Sequence, residues 1–216
     1  MTRYQKPVIN FNADDVWAAA VVAQRTNGAY VKVGMLSESN PEMNQQSNRQ
    51  IMESLLADPF TISDEDRAEG KKVRAYFQAY TFKILQGRAL SEFNNTAMLI
   101  ANRDTITSNY DVAVICSLPA SYAKGLKRDD TDRRINFARG GYVGDIGGKV
   151  TLNIEVLKQV WSEKYNTWYL TGITGEDQVV FFAHKTQYDI GTHLTIQGVV
   201  KGQRETSTQL NRVKVI

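Results

Sequence analysis

The residues best equipped for chemistry in this chain are rings and cations. Trp161, Tyr165, Trp168, Tyr169 and Phe182 fall in one stretch, WSEKYNTWYLTGITGEDQVVFF, with Lys164 inside it and Lys158 and Lys185 on either side. Lys201, Arg204, Arg212 and Lys214 follow further along the chain. Cations track phosphates and flat rings stack on bases, so this combination suits a single nucleic-acid strand. Stacking contributes about 1–3 kcal/mol per base, much what burying the same ring in a core contributes. Energy therefore does not separate platform from core. Alternation narrows the choice: Trp168 and Tyr169 are adjacent, as are Phe181 and Phe182, and neighbours in a strand point to opposite faces. One of each pair faces away from the interior, and which one remains open. Exposed Trp and Tyr also suit a protein interface. An adaptor or accessory subunit of a replication or transcription complex, using the same surface, is the alternative reading.

A second basic cluster, Lys124, Lys127, Arg128, Arg133 and Arg134 with Arg139 nearby, is interrupted by Asp129, Asp130 and Asp132. It either extends a nucleic-acid path or forms a solvated helix start with ion pairs one turn apart, and the acidic neighbours favour the latter. No catalytic set assembles. Gly141, Gly144 and Gly147 are followed by Lys149 and a strand, whereas a phosphate-binding loop needs Gly-Lys-Ser/Thr opening a helix, so the glycines read as a flexible connection. The acidic runs 64–66 and 129–132 sit where helix starts favour carboxylates. His184 and His193 lie on or near strands, and Cys116 lies in an apolar run where a thiol acts as a small hydrophobe. The expectation is a non-enzymatic protein with no catalytic residues, no metal and no cofactor.

Composition sets the frame for these groups. The 216 residues are 42% hydrophobic and 23% charged, with net charge +3, ordinary for a globular chain and only mildly favourable to an anionic partner. A single cysteine excludes an intramolecular disulfide or a cysteine zinc cage and points to a reducing, cytoplasmic setting. No apolar run reaches the length of a membrane span, and MTRYQKPVINFNADD lacks the apolar core of a secretory signal. No membrane partner is expected.

Two kinds of element must position the rings and cations, giving an α+β chain. Residues 1–139 read as a mainly helical unit, available as a partner, cap or self-association surface. Asn12 caps a helix ending at Asn27-Gly28, with Val16, Ala19, Ala20 and Ala23 on its packing face. A short helix ends before Pro59. Ser63 caps a longer one carrying Val73, Phe77, Tyr80 and Ile84, and Ser91 caps another. DVAVICSLP is either a buried strand or a buried helix, and the segment after it reads as one or two short polar helices. Residues 140–148 are the glycine-rich connection. From 149 to 216 the period falls to two: five strands with short turns suggest a closed or nearly closed barrel. In its last strand Arg212 and Lys214 share a face with Leu210, and Val213 and Val215 take the other.

The C-terminal third resembles an OB-fold. Its strands run through GGKVTLNIEVLKQVW, YNTWYLTGI, VVFFA, GTHLTIQGVVKGQRE and TQLNRVKVI, and the span Gly191 to Val215 is similar to the last two strands of OB modules in phage-encoded replication proteins. That resemblance implies binding of a single nucleic-acid strand, DNA ahead of RNA, during phage DNA replication or recombination in the host cytoplasm, with replication proteins as further partners. The ligand face of such barrels lies on strands two and three, where the adjacent aromatic pairs fall. Bacterial-type single-strand binders carry an acidic recruiting tail, and a chain ending in LNRVKVI departs from that pattern.

Overall fold

The computed structural model describes residues 9–35 and 44–216. Residues 1–8, within the stretch read above for a secretory signal, lie outside them. The chain forms two compact units, Met1–Gly125 and Leu126–Ile216, the first helical and the second built on a closed barrel of five strands.

In the first unit the expected capping residues start the helices. The Asn12 side chain accepts the Asp14 N–H at the head of α1, Ala13–Asn27, and Gly28 ends it at φ 67°, a left-handed geometry that glycine adopts without a Cβ clash. Ser47 forms a capping box with Gln50 on α2, Asn48–Ala57. Ser63 caps α3, Asp64–Gln78, and Ser91 caps α5, Glu92–Ala101. The expected long helix after Ser63 is divided at Ala79, where the short α4, Tyr80–Leu85, begins. Val73, Phe77 and Tyr80 are buried but Ile84 is exposed. Two short strands, β1 at Phe11–Asn12 and β2 at Thr105–Ile106, pair antiparallel.

The apolar run at 111–119 is helical. It belongs to α6, Asn109–Asn136, with Val112, Ile115, Cys116 and Leu118 buried at helical spacing and Pro119 inside the helix. The polar segment after it continues the same helix instead of starting new ones, so Asp129, Asp130 and Asp132 stand within a helix and not at its start. The boundary between the compact units falls inside α6.

The barrel strands are β3 (Lys149–Ser162), β4 (Thr167–Thr174), β5 (Val179–His184), β6 (His193–Arg204) and β7 (Ser207–Val215). They close in the order β3-β4-β5-β7-β6, with β5 and β7 parallel and the other pairs antiparallel. This topology is compatible with an OB-like fold, and closure leaves no free sheet edge. Ile154, Val156, Leu170, Val180, Phe182, Ile196, Val200 and Leu210 fill the interior. The glycine-rich segment is not a free connection. Val143 is buried in the barrel core, its N–H donates to Thr208 Oγ1 at 2.9 Å, and the Gly147 N–H donates to the Val200 carbonyl at 2.8 Å.

Candidate functional site

Register decides the two adjacent aromatic pairs. Leu170 stands directly opposite Phe182, and both are core residues. Every second residue shares their side of the sheet, so Trp168 points inward with Leu170, while Tyr169 and Thr171 point outward. On β5, Phe181 and Ala183 point outward by the same rule. Phe182 is 1% exposed. The expectation that it offers a ring to a ligand is therefore corrected: interior packing consumes it, and Phe181 is the outward member. Tyr169 and Phe181 are diagonal neighbours across β4 and β5, with ring centroids 5.5 Å apart and planes within 10°. Tyr165, in the turn Glu163–Tyr165, meets Tyr169 edge-on at 6.4 Å. Lys158 stands opposite Thr171 on the same outer wall.

The tryptophans form a separate group. Trp161 lies on β3, directly opposite Trp168, with ring centroids 5.2 Å apart. Trp168 is half-buried and packs against the barrel core, as does Tyr188, which lies beside His184. Trp161 is 40% exposed. These rings cover one end of the interior.

Two β-bulges place the cations. Between the pairs Val200–Leu210 and Gly202–Gln209, β6 carries one extra residue, Lys201. Between Val199–Asn211 and Gln197–Lys214, β7 carries one extra residue, so that Arg212 and Val213 together face Gly198. A bulge re-aims its side chain. Arg212 accommodates the second bulge at φ 52°, a left-handed conformation unfavourable to a residue with a Cβ. Alternation is broken there: Leu210, Val213 and Val215 all pack on the core. The expected sharing of one face by Leu210, Arg212 and Lys214 is thus replaced by Leu210 inside and the two cations exposed.

Between these bulges and the stacked rings lies a cleft of about 230 Å³, lined by Tyr169, Phe181, Lys201, Gln209, Asn211 and Arg212 among others. No carboxylate lines it among the described residues. Asn211 Oδ1 is buried there without a hydrogen-bond partner. Of the residues expected at a site, Tyr169, Lys201 and Arg212 come together in this cleft, and Tyr165 adjoins it through Tyr169. Lys164 lies over the Tyr165 ring at 5.2 Å. Arg204 and Lys214 are exposed outside the cleft. Phe181, Gln209 and Asn211 were missed. The alternation of TQLNR around an inward Leu210 carries a signal for the last two, but placing them beside Phe181 requires the parallel pairing of β5 with β7.

Two members of the second basic cluster are engaged within the fold. Arg134 donates both terminal nitrogens to Glu155, at 2.8 and 2.7 Å, so it anchors the end of α6 to β3 and is not free for phosphate. Arg133 is paired with Asp130. Lys124, Lys127 and Arg128 are exposed, and none lines the cleft. Hydrogen bonding to Arg134 holds the Glu155 carboxyl below the usual carboxylate range. A depressed folded-state value means that the pair's contribution is complete at neutral pH and is lost as pH falls through that value. Both partners keep some solvent contact, which screens the attraction. Glu155→Gln is expected to cost about 1 kcal/mol at neutral pH. It should also flatten the acid limb of stability, which urea midpoints measured at several pH values would check.

Among the described residues no group of three or more His, Cys, Asp or Glu side chains gathers to hold a metal ion, and no helix is long and apolar enough to cross a membrane. Burial pushes the Cys116 thiol up to about 11, which keeps it protonated and unreactive near neutrality. His184 Nδ1 accepts the Thr186 N–H at 3.1 Å. Ser63 and Arg25 both bond Asp66, whose carboxyl is held below its usual range chiefly by the Arg25 hydrogen bond. These groups serve the fold. Comparison with protein-family models, with curated proteins and with solved structures finds no match to this chain.

Proposed function

We propose that the chain is a non-enzymatic single-stranded DNA-binding protein whose OB-type barrel holds the strand along its outer wall. Tyr165, Tyr169 and Phe181 offer rings to bases, and Lys158, Lys201 and Arg212 meet phosphates. The observation that carries this reading is the cleft in which two parallel rings lie beside two bulge-borne cations with no carboxylate among its described lining. Rings beside cations are the two devices that grip a single strand without base pairing. The C-terminal resemblance to phage replication modules supports DNA as the polymer and replication or recombination as the setting.

Fluorescence anisotropy with labelled oligo-dT at several salt concentrations tests the proposal. The expected result is a preference for single strands over duplex and a log–log salt slope of roughly −2, from about 0.7 for each of three phosphate contacts. Arg212→Gly sharpens the test because φ 52° suits glycine. This variant should fold as stably as the parent, bind more weakly and lose about 0.7 of the slope. Absence of binding at every salt concentration would reject the proposal and leave the wall to a protein partner.

A further inference from the structure

Three glycines lie inside barrel strands, Gly172 on β4 and Gly198 and Gly202 on β6. Packing requires two of them. A Cβ at Gly172 would stand 2.7 Å from Ile154 Cδ1, and one at Gly198 would stand 3.0 Å from Val213 Cγ2. At Gly202 a Cβ would meet nothing within 4 Å among the described residues beyond its own chain neighbours. Its φ lies outside the left-handed region, so the backbone conformation does not demand glycine either. Glycine inside a strand weakens it, and here the fold gains nothing in return.

A strand glycine serves a bulge, a tight bend, or the close approach of another backbone or a ligand. The bulge at Lys201 is not of the kind that takes a glycine, because neither Lys201 nor Gly202 has a left-handed φ. The neighbouring bulge does have one, and Arg212 bears it. Open space at Gly202 leaves no tight bend and no second stretch of described chain for it to accommodate. A ligand remains, and the register says which. Gly202 is paired with Gln209, and Gln209 with Phe181, so the three form one row across the outer wall. Phe181, Gln209 and Lys201, the residue before Gly202, all line the cleft. The bare backbone therefore continues the wall past the rings, on the side where the cations stand.

We propose that the sugar–phosphate backbone of the bound strand crosses β6 over Gly202, seated against the peptide backbone at a place from which any side chain would lift it. Its phosphates reach Lys201 and Arg212 there. The strand thus runs across the barrel, from Lys158 on β3 over Tyr169 and Phe181 to β6, and not along any one β-strand. Phe181 and Gly202 are two strand spacings apart, about 10 Å, within the span of the four or more nucleotides that an OB-type barrel holds. The inference rests on the single-strand function proposed above.

Gly202→Thr tests it. Threonine favours strands and enters open space, so the thermal midpoint should hold or rise. Anisotropy with oligo-dT should show binding weaker by about ten-fold or more, as the loss of one stacked base produces. The log–log salt slope should shrink by about 0.7 to 1.4, because the strand gives up one or both phosphate contacts at Lys201 and Arg212. Undiminished binding overturns the inference while leaving the single-strand function intact. So does weaker binding that keeps the parent's salt slope, since the strand would then not lie against these cations. A fall in the midpoint would show that the fold itself needs the glycine, and would overturn the inference as well. Failure of the parent protein to bind oligo-dT overturns the function itself.

Discussion

Phe182→Ala is expected to destabilise the barrel by about 3–5 kcal/mol, the usual result of deleting a fully buried phenylalanine and leaving a cavity. Phe182 is 1% exposed, stands opposite Leu170 and packs in the core with Val180, Val156 and Ile196. Its neighbour in sequence should behave differently. Phe181 is only partly buried on the outer wall, and its main aromatic contact is the parallel Tyr169 ring. Phe181→Ala should therefore cost under about 2 kcal/mol, within the range common to substitutions outside a core. Domains of this kind are stable by only about 5–15 kcal/mol, so the first variant loses a large share and the second keeps most. Urea denaturation of the two variants side by side measures the contrast. If Phe181→Ala proves the more damaging, the β4–β5 register described here is wrong.

The second large effect concerns binding. Removing both outer-wall rings, in Tyr169→Ala/Phe181→Ala, is expected to weaken oligo-dT binding by about 2–6 kcal/mol, since each stacked base is worth about 1–3 kcal/mol. That is about 30-fold at the lower bound. Anisotropy should register the loss at a temperature where denaturation curves show the double variant still fully folded. Trp168→Ala is the informative control, because Trp168 packs against the barrel core and its loss should lower stability first. Unchanged binding by the double variant would move the strand off this wall and towards the exposed Trp161.

The two kinds of surface aromatic differ in how they are held. Tyr165 is 60% exposed in a turn whose last residue, Asn166, is left-handed at φ 46°. Tyr169 and Phe181 sit on paired strands and lean on one another, which fixes their planes. A ring fixed before binding loses less freedom when a base stacks on it. The bulge at Arg212 does the same for its cation, which regular alternation from Leu210 would turn inward, while Lys201 follows the inward Val200 on the outer side. On the opposite margin of this wall, Ile173 and Val179 are buried. Arg134 is spent on Glu155 there, and Phe137 shares a pocket of about 310 Å³ with Ile173. That margin is occupied by the fold itself, which leaves the Tyr169–Phe181 region as the open part.

Local signals in the chain were enough for the element types. Asn12, Ser63 and Ser91 start helices because a side-chain oxygen can satisfy a backbone N–H within its own turn, a requirement met by residues a few positions apart. The two-residue period after Gly148 marked the strands for the same reason. The break at Ala79, the unbroken course of α6 past Pro119 and the docking of Val143 into the barrel were not legible, because each depends on partners distant in the chain. So does the division of labour within each aromatic pair. Adjacent residues on a strand must take opposite sides, which follows from backbone geometry alone, but the side that meets the core is set by strand pairing and by bulges. One extra residue in β7 set Leu210 on the same side as Val213 and Val215 instead of with Arg212 and Lys214, and pairing between strands is what assembled a cleft from Tyr169, Phe181, Lys201, Asn211 and Arg212.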